Sequence, residues 1–149
     1  MDVVADLDAE CPPDRLREWI RDLDRYPSWL SIVPRAELEP SADGADVGEE
    51  AWSVELRAKV GPLARSKRLR MVRTVDELDH VRFERAELDG KQHSPWVLDA
   101  RIAPTEKGSR VTMTLHYGGR LGGGVVERLL GDEIEASRPR LRALVEGAD

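Results

Sequence analysis

The stretch DRYPSWLSIV, residues 24–33, decides how the rest of the sequence is interpreted. It holds two of the chain's seven aromatic residues, Tyr26 and Trp29, on either side of Pro27. Proline disfavours helical backbone at the residue before it, so a preceding helix is predicted to end at residues 24–25. One further short turn then carries Trp29. The stretch is therefore predicted to be a hinge directly after the helix.

An amphipathic helix is predicted directly before this stretch. Pro12 and Pro13 mark its start, because proline is tolerated at a first helical position. Its apolar residues follow the i, i+3, i+4, i+7 spacing of a single buried stripe: Leu16, Trp19, Ile20 and Leu23. Residues 2–8 alternate loosely before it and are predicted to form a first strand.

The middle of the chain changes to a period of two. Residues 33–40 are predicted as a short strand and residues 41–48 as a turn-rich loop. From residue 49 onwards, alternating apolar residues indicate about five strands joined by short turns, including one at Gly61 and Pro62. Such strands form a meandering antiparallel sheet with one solvated face. The apolar face is predicted to carry Trp52, Val54, Leu56, Leu69, Met71, Val75, Val81, Phe83, Trp96, Leu98, Val111, Met113 and Leu115.

The last segment is predicted to be a long helix. Glycine-rich residues 118–124 break the strand pattern, and a helical stripe follows, made of Val126, Leu130, Ile134, Leu141, Leu144 and Val145. Pro139 removes a backbone hydrogen bond inside this helix, at a cost of about 3 kcal/mol in a regular helix, so a bend is expected there. This helix is the only element long enough to cover the apolar face of the sheet.

Composition limits the partners and the compartment. The net charge of −6 argues against nucleic acid and against anionic membrane surfaces, because both need a basic footprint. The single cysteine, Cys11, excludes an intrachain disulfide and fits a reducing compartment. No signal peptide and no apolar run near the ~18 residues of a membrane span are expected, which predicts a cytoplasmic protein. The 149 residues have the size of one domain, predicted to cover 1–149.

This order of elements resembles the START, pollen-allergen and polyketide-cyclase superfamily, which has the helix-grip fold. The resemblance rests on the proline-rich helix start at residues 9–13, on Tyr26-Pro27-Ser28-Trp29, and on the glycine-containing junction into the last helix. GPLARSKRLRMVRT (61–74) and VRFERAELDG (81–90) look like the polyketide cyclase/dehydrase-like members. The resemblance covers essentially the whole chain. It implies an α+β fold: a curved antiparallel sheet of six to seven strands wrapped on a long C-terminal helix, with two short helices after the first strand.

The same resemblance implies a cavity between the sheet and the long helix that holds an apolar small molecule. The stretch 24–33 would close one end of it, with Tyr26, Trp29 and Leu30 as the cap. The alternative is that Trp29 is a core residue that anchors the turn. Apolar side chains on the sheet are core by default, but in this fold the same face is the pocket wall. The predicted ligand contacts are Tyr26, Trp29, Trp52, Leu56, Met71, Arg73, Phe83, Arg85, Trp96, Leu98, Met113, Tyr117 and Leu130.

Three polar members of that set are in phase with the apolar face. Arg73 follows Met71, Arg85 follows Phe83, and Tyr117 ends the last strand. Buried charge is costly unless it is paired. Either arginine could therefore meet a carboxylate, phenolate or enolate of a ligand, while Tyr117 donates a hydrogen bond. The alternative, which is favoured, places both arginines at strand ends, where they reach water or pair with a glutamate.

Catalytic and metal motifs are absent from the sequence. There is no G-x-S-x-G, P-loop, H-E-x-x-H or dinucleotide-binding glycine pattern. The three histidines are far apart, so neither a metal nor a cofactor is expected and no catalytic residue is assigned. Residues 57–73 hold seven basic and no acidic residues, but no aromatic residue to stack on a base, which favours a solvated sheet face.

The leading functional hypothesis is the binding of a hydrophobic small molecule, lipid or polyketide-like. The alternatives are a polyketide aromatase/cyclase and an interaction protein without a ligand. The sequence favours binding over catalysis, because no positioned acid or base stands out. It does not identify the ligand or separate a monomer from a homodimer.

Overall fold

The structure is a computed structural model. It describes residues 2–40, 49–60, 63–118 and 124–147, without the side chains of 58–60, 63–65 and 124–127. The predicted loop at 41–48, the turn at Gly61 and Pro62, most of the glycine junction and the Val126 side chain lie outside the described part.

The order of the elements matches the sequence-based prediction. A first strand leads into two short helices, six further strands follow, and a long helix ends the chain. The elements are β1 (Asp2–Ala9), α1 (Pro13–Ile20), a 3-10 helix (Leu23–Ser28), β2 (Arg35–Leu38), β3 (Ala51–Val60), β4 (Leu63–Asp76), β5 (His80–Arg85), β6 (Trp96–Thr105), β7 (Gly108–Tyr117) and α2 (Gly124–Glu146).

All seven strands pair in one antiparallel sheet in the order β1-β7-β6-β5-β4-β3-β2. Strands β2 to β7 follow one another as a meander, and β1 closes the far edge by pairing with β7. The chain between β1 and β2 therefore connects the two edges of the sheet and carries α1 and the 3-10 helix. Helix α2 packs on β1, β3 and α1. This is the predicted α+β helix-grip architecture.

The first helix is shorter than predicted. Helix α1 begins at Pro13, buries Leu16 and Ile20, and ends at Ile20 instead of residues 24–25. Asp22 is extended, and the chain resumes as the 3-10 helix that contains Pro27. The hydroxyl of Tyr26 donates to the carbonyl oxygen of Ile20 at 2.9 Å. It thereby satisfies a carbonyl at the end of the helix, where no intrahelical partner exists.

A bulge changes the face of β4 near its end. Arg73 pairs with Phe83, but the next pairs are Val75 with Arg82 and Asp76 with Val81. Directly paired residues of antiparallel strands lie on the same face, so the inserted residue shifts the alternation. The prediction that Val75 shares the face of Leu69 and Met71 is therefore wrong, and Asp76 takes that place.

The buried core lies between the sheet and its helical cover. Among the α2 side chains that the structure describes, the buried apolar ones are Leu130, Leu141 and Val145. The helical backbone continues through Pro139, and a bend there stays a prediction. Among the helices that the structure describes, none is long and apolar enough to cross a membrane.

Candidate functional site

A cavity with an apolar wall lies between the sheet and α2. Its volume is about 120 Å³. Side chains from β1, β3, β4, β6, β7, α2 and the segment around the 3-10 helix form the wall. They are Val3, Ala5, Asp6, Leu7, Leu23, Tyr26, Trp29, Leu30, Ile32, Val33, Val54, Leu56, Leu69, Met71, Trp96, Leu98, Val111, Met113, Leu115, Ile134, Ser137, Arg138 and Leu141.

The stretch 24–33 closes one side of this cavity. The Tyr26 and Trp29 rings are in contact, with centroids 4.7 Å apart, and both rings are buried. Tyr26 also meets Phe83 edge to face at 6.2 Å. Trp29 is therefore both a core residue and a wall residue, so the two interpretations of its role describe the same position.

Two indole N–H donors belong to the wall. The indole nitrogens of Trp29 and Trp96 are buried and lack a hydrogen-bond partner within the described part of the chain. A buried donor without a partner costs about 1–3 kcal/mol. A ligand that carries a carbonyl or hydroxyl oxygen could remove that cost, because both indoles belong to the wall.

Three polar residues interrupt the apolar wall. The Ser137 hydroxyl donates to the carbonyl oxygen of Ile134 at 2.6 Å and is thereby bound to its own helix. Arg138 forms an ion pair with Glu135 at 3.0 Å, while its Nε is buried without a partner in the described residues. Asp6 lies on the edge strand β1 and is exposed. The wall thus offers few polar groups, as small-molecule pockets usually do.

Arg73 lies beside the wall but faces a different set of partners. Its guanidinium contacts the carboxylates of Asp22 at 2.9 Å, Glu50 at 3.4 Å and Asp76 at 3.5 Å. It also donates to the carbonyl oxygen of Arg21 at 2.5 Å and lies over the Trp52 ring. The charge of Arg73 is therefore paired within the protein.

Asp76 is the shared carboxylate of this network. It contacts Arg17, Arg21 and Arg73. Burial raises the pKa of the Asp76 carboxyl, but the hydrogen bond from Arg21 and the charges of Arg73 and Arg17 outweigh burial and hold the pKa below its ordinary value. The β4 bulge creates this network, because it brings Asp76 onto the face that Arg73 shares.

Arg85 lies at the end of β5, opposite Met71 and two residues beyond Phe83, the partner of Arg73. Its Nε donates to Glu87 at 2.7 Å and its Nη1 to the Ser94 carbonyl at 3.2 Å. Its Nη2 lies 3.3 Å from Nδ1 of His93. Close by, the Tyr117 ring stacks on Trp96 with centroids 5.2 Å apart. This end of the sheet carries charged and aromatic side chains together.

The sequence matches one family model along residues 1–146, described as "Polyketide cyclase / dehydrase and lipid transport". The chain belongs to this family. The earlier resemblance to the polyketide-cyclase and START superfamily is thereby confirmed. A search of curated proteins found no match to the sequence.

Solved structures of similar fold share little sequence with this family member. TTHA0849 from Thermus thermophilus superposes with a TM-score of 0.72 at 20% identity, covering 97% of both chains. The Zhui aromatase/cyclase from Streptomyces sp. R1128 gives 0.71 at 12% identity, covering 98% of this chain and 93% of its own. A STAR-related lipid transfer protein from Xanthomonas axonopodis gives 0.69 at 15%, covering 97% and 85%. At identities this low, the superpositions show that the fold is shared and nothing more.

Seven of the thirteen predicted ligand contacts belong to the cavity wall of this family member: Tyr26, Trp29, Leu56, Met71, Trp96, Leu98 and Met113. The other six do not belong to the described wall. Trp52 and Phe83 pack edge to face behind it, at 5.5 Å, and Tyr117 stacks behind Trp96. Arg73 and Arg85 pair with protein groups.

Leu130, the last of the six, faces a second and more polar groove on the other side of Ile32. Ser31, Arg57 and Glu133 border this groove, and the Ser31 hydroxyl donates to Glu133. Leu130 itself is buried. It thus packs α2 in place beside the cavity.

The sequence-based prediction omits Lys67, which the structure places near the wall. Lys67 pairs with Leu56 and lies two residues before Leu69, and both of these leucines line the cavity. Its ammonium nitrogen lies 5.9 Å from the centre of the Trp96 ring. The signal was present, because Lys67 is in phase with Leu69 and Met71, but the surrounding basic run hid it.

Within residues 2–40, 49–60, 63–118 and 124–147, no cluster of His, Cys, Asp and Glu side chains could hold a metal ion. His80 and Asp99 are in contact with each other, and Asp99 also contacts Arg82. Asp99 accepts from His80 at 2.6 Å and from Arg82 at 2.9 Å. These contacts satisfy one another and lie away from the cavity wall.

Proposed function

We propose that this protein binds an apolar small molecule, lipid or polyketide-like, in the cavity between the sheet and α2. One observation carries the proposal: a wall made almost entirely of apolar side chains encloses a cavity of about 120 Å³. Small-molecule pockets are typically concave and lined mainly by apolar side chains with a few polar groups. A bound apolar molecule would recover the contacts that the wall side chains lack.

The ligand would contact the seven predicted residues that line the wall. Trp29 and Trp96 supply flat apolar surface together with unpartnered indole donors. These features favour a ligand with aromatic or extended apolar surface and at least one oxygen acceptor. Similarity to an aromatase/cyclase and to a lipid transfer protein supports the same class of ligand.

The wall favours binding over catalysis. Cyclisation of a polyketide chain needs groups that move protons, positioned at the substrate. The Tyr26 hydroxyl of the wall is engaged by the Ile20 carbonyl, and the other polar side chains of the described wall, apart from the two indoles, are Asp6, Ser137 and Arg138. Asp6 is exposed at the sheet edge, the Ser137 hydroxyl is bound to Ile134, and Arg138 is a poor proton donor. The interaction-protein alternative is disfavoured, because side chains do not fill the cavity.

The remaining sequence-based expectations become part of this proposal. The chain would act as one domain over residues 1–149, in the cytoplasm, without a metal or cofactor. Both the family match and the sheet extend over nearly the whole chain, which supports a single folding unit.

Tryptophan fluorescence tests the proposal, because Trp29 and Trp96 line the cavity. The purified protein would be titrated with long-chain alcohols, fatty-acid esters, flavonoids and polycyclic aromatic ketones. We expect saturable quenching by at least one class. Val3→Phe fills the cavity from β1, whereas Val4→Phe adds the same ring on the exposed face of the same strand.

The two variants separate cavity binding from surface binding. Val3→Phe should weaken binding at least tenfold, and Val4→Phe should leave it unchanged. Equal effects of the two variants, or no saturable response in a cooperatively folded protein, would contradict the proposal.

A further inference from the structure

Lys67 is a cation at the Trp96 end of the cavity. By register it lies on the inner face of β4, opposite Leu56, and its ammonium lies over the Trp96 ring. Leu56 and Trp96 both line the cavity. Lys67 is half-buried.

The neighbouring charges are already paired with one another. Each of the three guanidinium nitrogens of Arg85 has a partner, in Glu87, Ser94 and His93. Glu87 accepts from Arg85 and from the backbone N–H of Arg70. His93, which accepts from Arg85 at Nδ1, can donate through Nε2 to Asp89 at 2.8 Å.

In the described part of the chain, this arrangement leaves the Lys67 ammonium without a carboxylate partner. Among the residues whose side chains the structure describes, no carboxylate forms an ion pair with it, and its one recorded partner is the Trp96 ring. Burial, together with the charge of Arg85, lowers the pKa of the Lys67 ammonium, and Glu87 opposes that shift only in part. An additional anion nearby would stabilise the charged form of the lysine.

We propose that Lys67 binds an anionic oxygen of the ligand, either a carboxylate or an ionised phenol or enol, at the Trp96 end of the cavity. The inference rests on the proposed binding function and specifies the class of ligand: an apolar body with one acidic oxygen group. The apolar body contacts the wall, and the anion meets an ammonium in a site only partly exposed to water. Such a contact is stronger than a surface ion pair, because solvent screens it less.

The alternative is that Lys67 only covers the Trp96 ring with its stem while its charge is solvated, as exposed lysines commonly do. The two possibilities differ in one measurable respect. A ligand contact makes an acid bind more tightly than a neutral molecule of the same shape, whereas a solvated lysine gives no such preference.

Calorimetric titration at pH 7 with two matched pairs tests the proposal: 2-naphthoate with its methyl ester, and dodecanoate with its methyl ester. In the wild-type protein, at least one acid should bind about tenfold more tightly than its ester. Lys67→Met, of similar length but uncharged, should abolish that preference while still binding the ester. Lys67→Arg should retain the preference.

Lys107→Met is the matched control. Lys107 is exposed in the turn between β6 and β7, whereas Trp96 lies at the opposite end of β6. This variant should keep the wild-type preference, and thermal unfolding should show that all variants are folded. Ester binding without acid preference in the wild-type protein, or a preference that survives Lys67→Met, would overturn the role of Lys67. Failure of all four compounds to bind would overturn the proposed function as well.

Discussion

The indole N–H of Trp52 donates to the carboxylate of Asp24 at 2.8 Å, which ties the stretch 24–33 to strand β3. Trp52 is fully buried, whereas Asp24 lies at the surface. One hydrogen bond thus connects the lid to the sheet from outside the cavity. The Tyr26 hydroxyl makes a second such connection, to the end of α1.

Replacement of Asp24 should loosen the lid. Asp24→Ala leaves the buried Trp52 N–H without an acceptor, so the free energy of unfolding should fall by about 1–2 kcal/mol. Asp24→Asn keeps an acceptor oxygen and should lose less than half as much. Urea unfolding followed by fluorescence measures both variants. Equal losses would show that the negative charge, and not the acceptor, is what matters.

Tyr26 should make the protein sensitive to alkali. Burial, reinforced by the charge of Asp22, raises the pKa of the Tyr26 phenol far above its ordinary value of 10.0. Stability from Tyr26 is therefore complete below pH 10. It declines above pH 10, because the unfolded chain loses the proton while the folded chain keeps it.

Tyr26→Phe tests this sign directly. At pH 8 the variant should be less stable by about 1 kcal/mol, because the Ile20 carbonyl loses its donor. Above pH 10 the difference should shrink by about 1.4 kcal/mol per pH unit and then reverse. Urea unfolding at pH 8 and pH 11 gives both values. A difference that stays constant would mean that Tyr26 ionises in the folded protein as it does in the unfolded chain.

Asp76 should give the opposite dependence on pH. Its pKa is lowered in the folded protein, so its contribution is present above the ordinary pKa of 3.8 and is lost as the pH falls through the lower folded value. At pH 7, Asp76→Asn should cost about 1–2 kcal/mol, discounted because about a third of the side chain is exposed.

The matched control for this variant is Asp79→Asn in the same turn, where Asp79 is exposed and forms no ion pair that the structure records. It should change the stability by less than about 0.5 kcal/mol. The cost of Asp76→Asn should begin to fall as the pH drops below the ordinary pKa of 3.8 and should vanish at still lower pH, as measured by urea unfolding across the acid range. If the cost persists at low pH, the ion pairs are not its source.

Gly108 should tolerate no side chain. A Cβ atom there would lie 2.3 Å from the Ala9 carbonyl oxygen and 2.7 Å from the Cys11 nitrogen. Both are backbone atoms beside the β1–β7 pairing, so neither can move cheaply. Gly108→Ala should therefore lower the free energy of unfolding by about 3 kcal/mol.

Gly90 provides the comparison for this prediction. It has a φ of 72° but no atom within 4 Å of an added Cβ. Gly90→Ala should cost only the backbone strain of about 1 kcal/mol. Thermal unfolding of the two variants measures the difference. Similar losses would show that steric contact at Gly108 is relieved by local movement.

The order of the elements and the inner face of most strands could be predicted from the spacing of apolar residues alone. Periodicity reports a face only while the register is regular, so it could not reveal the bulge after Arg73. It therefore misplaced Val75 and gave no sign that Asp76 meets three arginines. The early end of α1 was equally hidden, because periodicity does not show that the Tyr26 hydroxyl bonds the Ile20 carbonyl.

The candidate site was only partly predictable for a related reason. Sequence phase selects every residue on the inner face, but the cavity occupies only part of that face. Trp52 and Phe83 are in phase and lie behind the wall, whereas Lys67 is in phase and was hidden in a basic run. The favoured alternative, that both arginines pair with carboxylates, is what the structure shows. Arg73 finds Asp22 far away in the chain, which a single sequence does not reveal, whereas Arg85 pairs with Glu87 only two residues along.

The bulge in β4 separates two parts of the strand that have different roles. Before it, Leu69 and Met71 line the cavity; after it, Asp76 joins arginines from α1 and β4. One half of the strand is thus available to vary with the ligand, while the other half holds the helices to the sheet. Substitutions at residue 71 and earlier in β4 could accordingly change the ligand preference, by design or during evolution. They would leave the ion pairs of Asp76, and the stability that these ion pairs provide, unchanged.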